Sequence, residues 1–426
     1  MQGKVVVIGG GITGLATATR LADLLDPGSL TLIEAEPRLG GKIRTERTDG
    51  FVLEGGPDCF LATKPAGVEL CRRLGIADRL EGTNPAMRRS YVKRAGRLHP
   101  LPDGITGLVP SRVMPLLTTG ILSLRGRIRA GLEPLVPRGH PGAEESVAGF
   151  ASRRFGREAY DWLIEPLLSG IYAGDGEALS LEATFPQLRE TEARSGSLLR
   201  PMLTASVRRR GVPSPRAGFV TLPGGLGEMV EGLAARLRGT EILTGTSVAG
   251  VREVAATGGY RVELPDGRGI ESSAVVLATP EHASAALVEG LDPELAASLR
   301  AIPFVSTATV SLAFPRTAFP TAPDGYGYVS PRIEGGPLVA CTWTSNKFPR
   351  RVPPETVLVR CFVGRAGEEE IVAAEDTVLL DLVREELGRV AGVISPPLLS
   401  RVVRWPAGMP QYALGHRDRL GRIATP

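Results

Sequence analysis

A chain of 426 residues, 42% hydrophobic, 23% charged and 5% aromatic, is long enough for two or three folded domains, and its composition is not that of a disordered or stapled small protein. Lys and Arg total 50 against 46 Asp and Glu, a net charge of +4. That balance is too mild to argue for nucleic acid, and it suits an acidic small molecule or weak contact with an anionic membrane. Cys59, Cys71, Cys341 and Cys361 include no C-x-x-C pair and read as free cytosolic thiols rather than a disulfide frame or a metal site.

The first predicted element is a buried parallel strand at Val5-Val6-Val7-Ile8, β-branched and uninterrupted, with no basic and apolar leader before it. A helix over residues 12–25 follows, with Leu15, Ala18, Leu21, Ala22 and Leu25 on one face. Asp26-Pro27-Gly28-Ser29 breaks it, and Leu30-Thr31-Leu32-Ile33 is the next strand, completing a βαβ unit. Arg-rich helical patterns then dominate, with helices expected over 144–155 and 158–168. The apolar run 113–124 is well short of the roughly 20 residues that span a bilayer. Residues 207–215 read as a polar loop. Pro223-Gly224-Gly225-Leu226-Gly227 opens a helix over 228–237. A strand at 260–264, the turn Pro265-Asp266-Gly267-Arg268 and a buried strand at 274–278 suggest a return to the first sheet. Strands at 305–314 and 357–363 and a helix at 376–389 suggest a separate α+β domain. The expected organisation is therefore 1–82 and 215–282 as two segments of a nucleotide-binding domain, 83–214 as a helical insertion, 283–400 as a substrate domain and 401–426 as the start of a further return.

The glycines Gly9-x-Gly11-x-x-Gly14 sit between the first strand and its helix, where a tight turn lets backbone approach a pyrophosphate at the helix N-terminus. Glu34 lies 20 residues past Gly14 at the end of the second strand, the spacing of a carboxylate that holds a ribose hydroxyl. Strand, glycines, helix, strand and acid together mark a dinucleotide site.

Arg38-Leu39-Gly40-Gly41-Lys42-Ile43-Arg44-Thr45 resembles the R-x-G-G-x-x-x-S/T segment of the flavin amine oxidase superfamily, which implies FAD rather than NAD, with a Gly pair wrapping the pyrophosphate and a basic residue meeting phosphate charge. Further segments resemble the porphyrinogen oxidases within it: Glu54-Gly55-Gly56-Pro57-Asp58, Tyr91-Val92 with Gly96 to Pro102, Glu165-Pro166-Leu167-Leu168-Ser169-Gly170-Ile171-Tyr172-Ala173-Gly174-Asp175, Cys341-Thr342-Trp343-Thr344, Arg404-Trp405, Met409-Pro410-Gln411-Tyr412 and Gly415-His416. The resemblance is nearest to the Gram-positive type that oxidises coproporphyrinogen III.

What this implies is an α/β fold, a Rossmann-like FAD-binding domain with an α+β substrate domain and a helical insertion, as in flavin amine oxidases and p-hydroxybenzoate hydroxylase. The implied activity is oxidation of a porphyrinogen to a porphyrin in haem biosynthesis, with molecular oxygen as acceptor and no metal. Coproporphyrinogen III is favoured and protoporphyrinogen IX is next. Cofactor contacts are expected at Gly9, Gly11, Gly14, Glu34, Arg38, Gly40, Gly41, Lys42, Gly56, Pro57, Val248 and Trp405. The tetrapyrrole is expected against Ile171, Tyr172 and Gly174, with Lys64 and Arg88 as propionate partners, and no acid or base is assigned. The chain is expected to be cytoplasmic. Its insertion, with Leu108-Val109-Pro110, Val113 to Leu117 and Arg112, Arg125, Arg127 and Arg129, either rests peripherally on the inner face of a membrane or walls a cavity. The resemblance also implies a helix, a strand and a Gly-rich flavin-contacting segment beyond Ile423, where this sequence reads Ala424-Thr425-Pro426. Two alternatives stay open: an amine oxidase or carotenoid desaturase, and a non-catalytic flavin- or porphyrin-binding form.

Overall fold

In the computed structural model the described residues are 3–102, 105–106, 109–110, 113–140, 142–201, 218–256, 258–393 and 395–425, with backbone alone at 105–106, 109–110 and 113. The expected loop at 207–215 lies outside them. The chain divides into two units, one from residues 1–82, 216–302 and 419–426, the other from 83–215 and 303–418.

The first unit is built on a four-stranded parallel sheet in the order Glu241–Leu243, Leu30–Ile33, Val5–Ile8, Ala274–Leu277. Its strands carry continuous apolar runs because both faces are covered. Val7 and Leu32 pack against Leu15 and Ala18 of the helix Ile12–Ala22 and Leu233 of the helix Gly227–Arg236. Val6, Ile8 and Ile33 pack on the other side against Val251 and Val262 of a three-stranded antiparallel sheet. The helices Glu281–Val288 and Pro293–Arg300, expected in the substrate domain, belong to this unit, because Ala285, Val288 and Ala296 form one apolar cluster with Leu277 of the sheet.

The second unit holds a seven-stranded sheet in the order Leu399–Pro410, Phe304–Pro315, Thr356–Val363, Leu338–Trp343, Gly327–Val329, Ser90–Arg94, Arg97–Pro100. Residues 90–100, expected in a helical insertion, are thus two strands of this sheet, joined to it through the parallel pairing of Tyr91 with Tyr328. The strand Leu399–Pro410 pairs with Phe304–Pro315 along most of its length, so the return to the first unit starts at residue 419 rather than 401. The helix Asp376–Ala391 packs Leu379, Val383 and Leu387 onto Val310, Leu312, Val359 and Cys361 of the sheet. All four cysteines are free thiols.

The helical part of the second unit has its own core around Phe150, Phe155, Tyr160, Leu163, Leu168 and Leu181. Its helix starts at Val147 because Ser146 accepts a hydrogen bond from the Gly149 N–H at 3.0 Å, an N-cap that sets the boundary three residues past Glu144. The expected helix over 158–168 is instead Arg157–Ala159, a π-helical turn Tyr160–Ile164 and Glu165–Tyr172. Pro166 has no N–H to continue the ladder, and the turn widens ahead of it.

Fully buried beneath these helices, Arg154 and Glu133 pair at 3.2 Å, and Glu192 lies at the same distance from the Arg154 Nε. Arg154 donates to the carbonyls of Val136 and Gly196, while Glu133 accepts from the Ser197 hydroxyl and the Leu198 N–H. Removing one partner leaves a buried charge short of compensation, so Glu133→Ala is expected to lower unfolding stability by about 3–5 kcal/mol. Urea unfolding followed by circular dichroism checks this, and a loss below about 1 kcal/mol would mean the cluster is not under tension of charge.

Candidate functional site

The strand Val5–Ile8 hands over to the helix Ile12–Ala22 in three residues, and the glycines there do different jobs. A Cβ at Gly14 would land on the Gly9 carbonyl oxygen, so Gly14 is required for the helix to lie this close to the strand. Gly11 is not required by packing: its backbone is extended at φ −69° and ψ 179°, and the nearest atom to an added Cβ is the Gly41 Cα at 3.9 Å. It instead leaves an open approach to the helix N-terminus, which no side chain caps and whose first turn holds no acid. Unpaired N–H groups and the positive end of the helix dipole there suit a phosphate.

The loop after the second strand lies directly on this turn. Gly40 donates its N–H to the Gly10 carbonyl at 2.8 Å, Gly11 and Gly40 form a parallel bridge, and a Cβ at Gly41 (φ +54°) would come within 3.0 Å of the Gly11 Cα. Two strips of bare backbone therefore meet with no side chain between them. Arg38 shapes the loop, donating to the carbonyls of Gly41 at 2.7 Å, Ile43 at 3.2 Å and Leu39 at 3.4 Å. Expected to meet phosphate, its guanidinium is turned toward these carbonyls. Burial and then Arg44 pull its pKa below the usual arginine value, against Glu36 and Glu34. Lys42 is an exposed cation of the loop, as is Arg44; desolvation lowers the Lys42 pKa and Glu281 opposes this.

Glu34 is buried, with one carboxylate oxygen accepting from the Gly10 N–H at 2.5 Å and the other from the Glu36 N–H at 2.8 Å. Each oxygen keeps a lone pair for a sugar hydroxyl. The Thr246 N–H donates to the Glu34 carbonyl, bringing the segment with Val248 alongside, although the Val248 side chain packs on the apolar cluster of Val6, Ile8 and Ile33. Gly56 and Pro57 follow the strand Phe51–Glu54, half-buried and exposed respectively.

Two supporting residues escaped the sequence reading. Glu54 accepts from the Leu226 N–H at 2.7 Å and the Thr45 hydroxyl at 2.6 Å, and that hydroxyl accepts from the Gly227 N–H at 2.9 Å. They pin the turn at 223–227 to the end of the Arg38 to Thr45 loop. The signal was present, since Thr45 is the last position of that motif and Glu54 the first of the next.

The expected substrate residues fall in both units. Lys64, in the first, is exposed ahead of the helix Pro65–Leu74, and Arg88, in the second, is exposed at the end of the short turn Pro85–Met87. Ile171 is 51% exposed, Tyr172 stands edge-on to Phe185 with ring centroids 5.7 Å apart, and Gly174 is buried. Burial, and then Tyr412, raise the Tyr172 pKa. This segment is bound to another motif far away in sequence: Leu179 bridges Ala413, the Ser180 N–H donates to the Tyr412 carbonyl, and the Leu414 N–H to the Ala178 carbonyl. His416 stacks on Tyr412 at 4.6 Å. Trp343 is core, edge-on to Phe319. Trp405, expected beside the flavin in a returning segment of the first domain, stands opposite Thr307 in the sheet of the second unit.

The bare-backbone cradle, uncapped helix and buried acid fit a dinucleotide cofactor. Residues 12–425 match the family of flavin containing amine oxidoreductases. The chain belongs to this family. As a flavin-containing amine oxidoreductase it takes FAD as its cofactor, and Gly9 to Gly14, Glu34 and the Gly40-Gly41 loop are the residues that would hold it. Over 98% of its length it is 37% identical to the coproporphyrinogen III oxidase of Bacillus subtilis (strain 168), of which it covers 89%. It is 32% identical to protoporphyrinogen oxidase 1, chloroplastic, of Arabidopsis thaliana over 97% of this chain and 80% of that one. A solved structure of a putative protoporphyrinogen oxidase from Exiguobacterium superposes with a TM-score of 0.86 at 31% identity, covering 99% of this chain and 90% of that one. Putrescine oxidase, at 17% identity and a TM-score of 0.65 over 100% of this chain and 92% of that one, shares the fold.

Because Gly11 has room for a methyl group and Gly14 has none, their alanine variants should separate cofactor binding from folding. Gly11→Ala is expected to keep thermal stability within about 0.5 kcal/mol and to lose FAD, while Gly14→Ala is expected to lose both. Thermal melts of the apoprotein and flavin absorbance after desalting read the two effects.

Proposed function

We propose that the chain oxidises a porphyrinogen to the corresponding porphyrin in haem synthesis, with FAD as cofactor and molecular oxygen as final acceptor, and with coproporphyrinogen III preferred over protoporphyrinogen IX. The observation that carries this reading is the likeness to coproporphyrinogen III oxidase over nearly the whole chain. The Ser169 to Asp175 segment supports it, since an amine oxidase or carotenoid desaturase of the same fold has no need of it. When bound, FAD supplies the two-electron acceptor.

Over the whole reaction six electrons and six hydrogens leave the macrocycle, and three molecules of oxygen become three of hydrogen peroxide. A meso C–H flanked by electron-rich pyrroles is already a good hydride donor, so the chain's task is to bind and orient. Lys64 and Arg88, both exposed, offer cations for the substrate's carboxylates. Ile171, Tyr172 and Gly174 offer an uncharged wall to the macrocycle.

Anaerobic addition of coproporphyrinogen III to the FAD-loaded protein is expected to bleach the visible flavin band, with protoporphyrinogen IX bleaching it more slowly. A loaded flavin that neither porphyrinogen reduces would remove this function and favour the non-catalytic alternative, which binds its ligand without turnover.

Peripheral membrane contact is favoured by one surface. Leu124, Ile128, Leu132 and Leu135 recur at helical spacing on Leu124–Gly131 and the turn Glu133–Leu135, are 47–75% exposed, and are joined by Met114 at 67%. Single exposed apolar residues are ordinary, but an aligned stripe is not. Arg125 and Arg138 are exposed nearby and suit anionic headgroups, whereas Arg129, expected outward, turns in to the carbonyls of Arg153 and Arg154. Leu108 and Arg112 lie outside the described residues, and among those described no helix is long and apolar enough to cross a membrane. In a flotation assay with phosphatidylglycerol vesicles the wild type is expected to rise and the Leu124→Asp/Ile128→Asp variant to stay below. Wild-type protein left entirely at the bottom would discard the membrane contact.

A further inference from the structure

Gln411 is buried at the end of the strand Leu399–Pro410, and its backbone N–H is anchored on the Pro303 carbonyl at 2.8 Å. Its side-chain amide reaches across to a different segment: Nε2 donates to the Tyr172 carbonyl at 3.0 Å and to the Met409 carbonyl at 3.2 Å. Turning the amide over would set its oxygen against two carbonyls, so its orientation is decided by its surroundings. The other amide atom, Oε1, is buried with no hydrogen-bond partner among the described residues and packs on Gly174, where a Cβ would collide with it.

The residues held this way have an unfavourable backbone. Tyr172 ends the helix Glu165–Tyr172, and Ala173 adopts the left-handed conformation at φ +51°, which side chains other than glycine seldom take. A helix C-terminus also leaves carbonyls without partners. Here the Tyr172 carbonyl is satisfied by Gln411 and the Ala173 carbonyl by the Ala366 N–H at 2.8 Å. Directly ahead of this left-handed turn, Ile171 is half-exposed and Tyr172 stands against Phe185.

We infer that Gln411 is a positioning residue for porphyrinogen oxidation, its amide holding the Ile171 to Gly174 wall in the shape that receives the macrocycle. This rests on the porphyrinogen reading above. Gln411 touches neither substrate nor cofactor in this role; it acts through the backbone of Tyr172 and the close approach of Gly174.

The test uses FAD-loaded wild type, Gln411→Ala, Gln411→Met and Gln411→Glu, with coproporphyrinogen III as substrate. Flavin content should be unchanged in all three variants, since the cradle is built in the other unit. Gln411→Ala, or Gln411→Met if the smaller residue does not fold, should lower kcat/KM by ~10–100-fold, mostly through KM. Gln411→Glu should be as impaired at high pH, where its carboxylate opposes the two carbonyls, and should recover in part as the pH falls, because the protonated carboxyl regains one donor. Activity within twofold of wild type in all variants, or a Gln411→Glu loss that is constant with pH, overturns the inference. An inactive wild type overturns the porphyrinogen reading and this inference with it, whereas an active wild type with unaffected variants overturns this inference alone.

Discussion

The hydrogen bond from the Gly40 N–H to the Gly10 carbonyl ties together two segments that must both be free of side chains. On one side is the turn from strand to helix, on the other the loop after the second strand, and the backbones touch at Gly11 and Gly41. The residues that would hold the cofactor in the first unit are arranged around this contact. Glu34 is held through the Gly10 N–H, Arg38 folds the loop onto itself, and Thr45 and Glu54 fasten its far end to the turn at 223–227. A dinucleotide carries two negative phosphates, and the cradle answers them mainly with oriented N–H groups and a helix end, a fixed electrostatic arrangement that costs no reorganisation when the anion arrives.

The second unit solves a different problem. Its sheet is packed on one face by the helix Asp376–Ala391, and its helical part is braced by a buried cluster of Arg154, Glu133 and Glu192. Buried ions contribute little net stability relative to apolar residues of the same size, but they are unforgiving of a missing partner and so specify one arrangement of the segments that supply them. The three residues of this cluster come from three separate stretches of chain, around 133, 154 and 192. The segment that includes Ile171 and Tyr172 grows directly out of this braced region, and its last turn is held by the strand that ends at Pro410. The proposed wall for the macrocycle needs such support, because Ala173 beside it is in a backbone conformation that local preference resists.

Much of this was legible in the order of residues. The run Val5 to Ile8, the glycines after it, the helix face with Leu15 and Ala18, and Glu34 at the end of the next strand are local patterns, each readable within a stretch of about 30 residues. The strands at 304–315 and 356–363 and the helix at 376–391 were likewise visible, since their apolar spacing matches their period. The sheet partners were not. Ser90–Arg94 and Arg97–Pro100 fell within the expected helical insertion, and pairing with Gly327–Val329, more than 200 residues on, makes them part of the larger sheet. The same holds for Trp405, whose place beside Thr307 depends on a pairing partner a hundred residues earlier.

By itself, then, the sequence determined the cofactor: the shape of a phosphate cradle depends on which positions lack a Cβ and on a carboxylate at a set distance, and both are properties of a short stretch of chain. The family motifs determined the substrate reading in the same local way. Only the tertiary structure decided how those motifs are supported. Arg38 proved to bind its own loop, Gln411 proved to hold the carbonyl of Tyr172, and Glu133 proved to sit under Arg154. A long polar side chain can reach water, a ligand or any carbonyl within several ångströms, and the identity of the residue does not say which. That choice is made when distant segments close around it and remove the water, so it belongs to the packed fold.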